Sequence, residues 1–309
     1  MKAMPPMSEH RPSPAADPAA ALAPDEGGVR AQLEGLFVHP VKSCAGVAVR
    51  EALLTEAGLD LDRAWMLVDE AGEFVTQREL PQLARVVPRL GVSDVVLRAP
   101  GMLALHLAAD AVEAPARVRI WDDEVDAWDM GDLAAQWFSD FTGQRLRLVR
   151  FDPEVRRLSS LRWTGGVEAP NLFSDGFPLL VTSSASLAAL NERLTAAGHA
   201  PVDLRRFRPN LVLGGVEPHD EDRLAELRIR TDTGTVRLAL VKPCARCPIP
   251  DVDPDSGARG TAVGDTLRGY RADARLDGAL TFGMNAIVLE GAGQVLRVGQ
   301  PVAADWAFD

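Results

Sequence analysis

The sequence predicts a mainly β protein with a few helices, built as barrels or sandwiches rather than as a doubly wound sheet. Two observations carry this expectation. Short apolar runs rich in Val, Leu and Ile recur at near-regular spacing between turn residues, and only two stretches hold a clear helical period.

Taken in order, residues 1–28 stand apart, with six prolines, seven alanines and neither an aromatic nor a β-branched residue. Such a stretch cannot bury enough apolar surface to offset its ordering entropy, so a disordered tail is expected there. A strand is predicted at 36–40. A hairpin follows, with 64–68 and 74–76 as its arms and Glu70-Ala71-Gly72 as its turn, Gly72 being free to take positive φ. Strands are then predicted at 92–98, 117–121 and 146–151. Between the last two, the run 132–141 sets Leu133, Trp137 and Phe138 on one helical face. Residues 152–176 are polar and aperiodic and suit a domain boundary. Beyond it come a strand at 179–182, a helix at 184–197 entered through serines and closed by Gly198, and a strand at 210–213. A second hairpin alternates Leu227, Ile229, Val236, Leu238 and Leu240 around Asp232-Thr233-Gly234, and the last strands are expected at 286–290 and 294–298.

A chain of 309 residues suggests about two domains of ~150 residues. The boundaries that suit the pattern are 1–28 for the tail, 33–152 for a first domain and 153–305 for a second. The net charge of −11 disfavours binding a phosphate backbone unless one local patch is basic, so no nucleic-acid partner is expected. No apolar run approaches the ~18–20 residues that span a bilayer, and no apolar signal segment follows Lys2, so no membrane association is expected. Three cysteines cannot build a disulfide framework. The expectation is a reduced, cytoplasmic protein.

Three segments carry residue types suited to chemistry. The first is VKPCARC at 241–247, where Cys244 and Cys247 form a C-x-x-C. Four readings stand: half of a zinc site, a redox pair, two buried small hydrophobes, or one thiolate bound to a soft metal carried by a cofactor. The second is HPVKSCAG at 39–46, where Lys42 and Ser43 suit a phosphate beside a glycine that admits close backbone approach, or are a solvated strand end. His39 there reads as structural. The third is RRFRPNLVLGG at 205–215. Arg208 precedes a proline, which favours extended backbone and a pre-aimed guanidinium fork, and Asn210 can offer a donor and an acceptor to a heterocycle. A surface arginine beside a capping asparagine is the plainer reading.

Together, HPVKSC, LDRAWMLVD, FSDGFPLL followed by SSASLAALN, RFRPNLVL, and C-x-R-C followed by VDPDSG occur in this order. The set resembles the MOSC family, in particular the group that includes the mitochondrial amidoxime-reducing component and its bacterial relatives, and covers about residues 33–303. The resemblance implies a MOSC N-terminal β-barrel-like domain followed by a C-terminal MOSC β-barrel, with a molybdenum-pyranopterin cofactor in the cleft between them. It implies that Cys247 is the molybdenum ligand and catalytic thiolate, while Cys44 and Cys244 are bystanders. Lys42, Ser43, Arg63, Arg208 and Asn210 match positions that contact the cofactor, and backbone at Asp175, Gly176, Phe177 and Arg246 should line it. Gly176 and Phe177 stand where the mitochondrial proteins carry hydroxyl residues, so a backbone contact is the one implied there. Pyridoxal phosphate binding is carried over at family level alone, with no residue assigned.

The implied reaction is reduction of small N-hydroxylated substrates (amidoximes, hydroxylamines, N-hydroxylated bases) to the amine-type product and water. No cysteine follows Cys247, so an iron–sulfur cluster within this chain is not expected, and electrons should come from a separate flavin, haem or iron–sulfur protein. The alternative is a binding module that carries molybdenum cofactor or sulfur without turnover.

Overall fold

The structure is a computed structural model that describes residues 28–307. The tail expected at 1–28 lies outside the described residues, apart from Gly28. The mainly β expectation is borne out, as two large curled sheets and two three-stranded ones with few helices.

The larger body is a closed seven-stranded barrel. Its strands run in the order Leu179–Ser183, Leu211–Gly214, Val29–Val38, Pro301–Trp306, Leu224–Arg230, Thr235–Ala245 and Ala279–Glu290. The last closes on the first through the pairs Leu179↔Ala286, Leu180↔Asn285 and Val181↔Met284. Closure leaves no open edge for another chain to pair with. Alternation turns Leu227, Ile229, Val236 and Leu238 inward, where all four are fully buried with Leu33 and Leu36. Leu179–Ser183 and Leu211–Gly214 run parallel, joined by the helix Ser184–Ala196 as a crossover. Ser183 caps that helix by accepting from the Ser186 amide, and Gly198 leaves it at φ +80°.

The smaller body is a half-barrel of five strands in the order Ala114–Ile120, Asp123–Asp129, Arg147–Phe151, Trp65–Val68 and Phe74–Val75. The hairpin at 64–76 forms as its pattern dictates, with Gly72 at φ +80°. The helix Asp132–Thr142 buries Ala134, Ala135, Trp137 and Phe138, but Leu133 is 74% exposed. Ala134, one turn before Phe138, holds the core-facing stripe that the sequence pattern had assigned to Leu133. Several strands are longer or additional: Val29–Val38, Glu51–Thr55, Leu105–Ala108, Asp123–Asp129 and Pro301–Trp306.

The two bodies are stitched by backbone. Lys42 N–H donates to Trp65 O at 2.7 Å, Trp65 N–H to Pro40 O at 3.0 Å, and Phe173 N–H to Arg63 O at 3.1 Å. These bonds fix the cleft where the 39–44 segment, the 60–64 turn and the 171–180 segment meet.

Candidate functional site

All ten residues singled out from the sequence line one cleft between the two bodies, with a volume of about 740 Å³ counted out to its open mouth. Lys42, Ser43 and Arg63 come from the half-barrel side. Asp175, Gly176, Phe177, Arg208, Asn210, Arg246 and Cys247 come from the barrel side. Thr76, Arg78, Ser174, Phe207 and Asn285 also line it and were not singled out, and Cys244, expected as a bystander, lines it too. Arg78 follows the return strand of a hairpin, so in sequence it looks like any strand-end charge.

The cleft is cationic within an acidic protein. Lys42, Arg63, Arg78, Arg208 and Arg246 face it, against a single lining carboxylate among the described residues, Asp175. Lys42 Nζ donates to Phe173 O at 2.9 Å and to Asp175 Oδ1 at 2.5 Å. Burial pushes the Lys42 ammonium below its usual range, with Asp175 working the other way. Desolvation opposes ionisation of Asp175, yet Lys42 and then Arg78 outweigh it and hold the carboxyl well below the ordinary carboxylate range. Asp175 is therefore an anion at neutral pH.

Arg63 is tied at three points. It pairs with buried Asp62, and it donates to Asn210 Oδ1 at 3.1 Å and to the Arg208 carbonyl at 3.0 Å. Asn210 is bound within the protein. Its Oδ1 also accepts from Leu180 N–H at 3.1 Å, and its Nδ2 donates to Phe37 O at 3.2 Å. These bonds give its side chain a positioning role on Arg63, beside the heterocycle contact expected of it.

Arg208 has φ +58°, not the extended backbone expected before a proline. Two more cleft residues, Ser43 at φ +67° and Arg63 at φ +51°, share that conformation. Each costs on the order of 1–3 kcal/mol in a residue other than glycine, and such outliers concentrate at binding sites. The turned backbone aims the Arg208 carbonyl at Arg63 and its Nη1 at Cys44 O, 2.5 Å away. Its Nη2 is buried with no partner among the described residues, as is Arg246 Nε. Burial, followed by the charge of Arg63, lowers the Arg208 guanidinium to about 10.

Gly46 serves a different end from the one its sequence suggests. A Cβ there would lie 2.5 Å from Nε2 of buried His39, so its bare backbone admits an imidazole and not a ligand. Cys44 is buried, and desolvation pushes its thiol up to about 12. Cys244 and Cys247 are half-buried at the end of Thr235–Ala245 and in the loop after it. Arg246 Nη1 lies 3.0 Å from Cys244 Sγ, and its Nη2 donates to Phe207 O at 3.0 Å. Among the described residues no group of three or more His, Cys, Asp or Glu side chains converges, which leaves the two cysteines without zinc co-ligands beside them.

Residues 30–145 match the model of the MOSC N-terminal beta barrel domain, and residues 168–303 that of the MOSC domain. The chain belongs to the MOSC family. The human protein "Mitochondrial amidoxime-reducing component 1" is 34% identical over 281 residues, covering 86% of this chain and 81% of its own. Component 2 from Rattus norvegicus is 34% identical over 285 residues, with the same two coverages. "Molybdenum cofactor sulfurase" of Oryza sativa subsp. japonica is 31% identical over 298 residues, 87% of this chain and 35% of its own. Likeness to a solved structure, the YUAD protein from Bacillus subtilis, is looser, at a TM-score of 0.40 and 12% identity over 89% of this chain and 94% of that one.

These relatives correct the cytoplasmic expectation, because the amidoxime-reducing proteins are mitochondrial by name. Scarce cysteines report a reducing environment, which is not peculiar to the cytosol. Among the described residues of this MOSC protein no helix is long and apolar enough to cross a membrane.

The site fits the cofactor that the family resemblance implies. A buried guanidinium nitrogen without a protein partner is costly until an acceptor satisfies it, and a phosphate does so in the geometry arginine favours. The Cys247 thiol on the same wall is a soft donor suited to a sulfur-rich metal centre.

Proposed function

We propose that this chain is a molybdenum-cofactor-dependent reductase of small N-hydroxylated compounds, taking electrons from a separate donor protein. Family membership supports an oxidoreductase-type function associated with a molybdenum cofactor at the level of the family. The observation that carries the specific reading is that Arg208 Nη2, buried without a partner among the described residues, and the Cys247 thiol line one cationic cleft.

In this reading Arg208, Lys42, Ser43 and Arg63 hold the anionic end of the cofactor. Backbone at Asp175, Gly176, Phe177 and Arg246 lines it, and Cys247 binds its metal. When bound, the cofactor supplies the two-electron chemistry by which an N–OH group, with two protons, becomes N–H and water. The protein supplies position and charge. Asp62 and Asn210 lock Arg63 in place, so its guanidinium needs no reordering when an anion arrives. Asp175, held ionised by Lys42, balances charge and is no proton donor at neutral pH. Protons reach the site through its open mouth.

The likeness to molybdenum cofactor sulfurase supports a second reading, a cofactor or sulfur carrier without turnover. One experiment separates them. Protein made in a cofactor-competent host is analysed for molybdenum, then assayed with an artificial reductant and an amidoxime or hydroxylamine. Stoichiometric metal with turnover is expected. Full metal without turnover favours the cofactor carrier, and protein without molybdenum sinks the reductase and leaves sulfur carriage alone.

A further inference from the structure

Trp121 lies just outside the cleft and has no part in the assignment above. It occupies, with Asp122, the two-residue turn between Ala114–Ile120 and Asp123–Asp129, whose arms close at Ile120↔Asp123. Its φ is +55°, while Asp122 is not among the positive-φ residues. Positive φ at the first turn residue alone is a pattern that glycine ordinarily supplies, and a bulky aromatic there is strained. The indole is nevertheless 44% exposed, so packing does not offset the strain.

Its contacts all point to the cleft mouth. Nε1 donates to Asp175 Oδ1 at 3.3 Å, the same oxygen that receives Lys42 Nζ. The Arg78 guanidinium stacks 4.9 Å from the indole, and the Phe74 ring lies 5.0 Å away at 55°. The turn does not need Trp121 as a fastening. Buried Arg157 already clamps it, donating to Asp123 Oδ2 at 2.7 Å and to Leu172 O and Ser174 O at 2.9 and 2.7 Å. That clamp fixes the indole relative to the cleft.

We propose that Trp121, with Arg78 stacked on it, is an outer platform that selects substrates whose N-hydroxylated group is joined to a planar π system. The inference rests on the reductase reading and adds a substrate class to it. A planar aryl or heteroaryl group presents a face that stacks on an exposed indole and on a guanidinium plane, whereas a small aliphatic hydroxylamine has nothing to stack.

The test compares an aryl amidoxime with hydroxylamine itself, using cofactor-loaded protein and an artificial reductant. In Trp121→Gly, which accepts the backbone conformation, the ratio of kcat/KM for the aryl amidoxime over hydroxylamine should fall about tenfold. Trp121→Phe, which keeps a π face, should restore most of the ratio. Trp121→Asn, which also tolerates positive φ, repeats the test should the glycine variant fold poorly. An unchanged ratio in the folded glycine or asparagine variant overturns the platform. If the parent protein turns over neither substrate, the reductase reading has failed. The platform is then judged by calorimetric binding of the aryl amidoxime, which should weaken about tenfold in Trp121→Gly, and equal affinities overturn it.

Discussion

Arg63 donates from Nη2 to the main-chain carbonyl of Arg208 at 3.0 Å, across 145 positions of sequence. The bond exists because Arg208 sits at φ +58°, which swings its carbonyl toward Arg63, while its own Nη2 is buried with no partner among the described residues. Two guanidinium groups thus converge from the two sides of the cleft, and the charge of Arg63 disfavours that of Arg208. Asp62, paired with Arg63, and Asp175 offset part of that repulsion. An incoming anion relieves the rest.

Cofactor retention should therefore depend on the guanidinium fork as well as on its charge. Arg208→Lys keeps the charge but replaces two nitrogens fixed in a planar fork, one on the Cys44 carbonyl and one facing the cleft, with a single ammonium nitrogen. Molybdenum content by mass spectrometry is expected to fall severalfold. Full occupancy would mean that Arg208 is no bidentate anion ligand.

The two neighbouring cysteines should behave differently. Cys247→Ser replaces a soft thiolate with a hard, high-pKa hydroxyl, so metal content and turnover should both collapse while circular dichroism shows an intact fold. Cys244→Ser can still accept from Arg246 and should keep most of both. Equal loss in the two variants would point to a dithiol site instead.

Gly46→Ala tests the packing under the cleft. The added methyl would lie 2.5 Å from Nε2 and 2.6 Å from Cδ2 of an imidazole that is itself buried. Overpacking of this kind costs about 1–3 kcal/mol, readable as a lower urea midpoint. An unchanged midpoint would show that His39 can move.

Acid should destabilise the fold through His39. Burial, followed by the charges of Arg63 and Arg208, pushes its imidazole down to about 3 from the ordinary 6.5. Below pH 6.5 the unfolded chain takes up a proton that the folded chain refuses, so stability present above pH 6.5 drains away as pH falls toward 3. The slope from this one group is about 1.4 kcal/mol per pH unit. His219, pushed down to about 4 by burial and then by Arg271, adds a contribution of the same sign. Urea midpoints between pH 6.5 and 4.5 should fall steadily, and less steeply in His39→Gln. Parallel slopes would mean that His39 is protonated in the folded state.

Much of the architecture is written locally. The hairpin of Trp65–Val68 and Phe74–Val75 follows from alternation and from Gly72, and the helix Ser184–Ala196 from its capping serine and leucine spacing. Its Leu190 and Leu194 are buried as that spacing requires. Strands such as Glu51–Thr55 and Asp123–Asp129 were harder to see, because charged residues on their exposed face break the apolar pattern. The outward turn of Leu133 is a packing outcome, since the face that carries Ala134, Trp137 and Phe138 meets the core and Leu133 lies off it.

By itself, then, the sequence determined the β class, the hairpins and the motifs that mark the family, because alternation, turn chemistry and residue type act over a few positions. It also named ten residues that come to line one cleft. Only the tertiary structure decided that Val29–Val38, at the start of the described chain, closes a barrel made mostly from its far end. Only it decided that Arg208 and Trp121 take left-handed backbone against their own preference, and that the Asn210 amide bonds to Arg63, Leu180 and Phe37. The physical reason is range. Barrel closure and the pairing of buried charges join groups more than a hundred residues apart, and those non-local contacts, once formed, outweigh local conformational costs of a few kcal/mol.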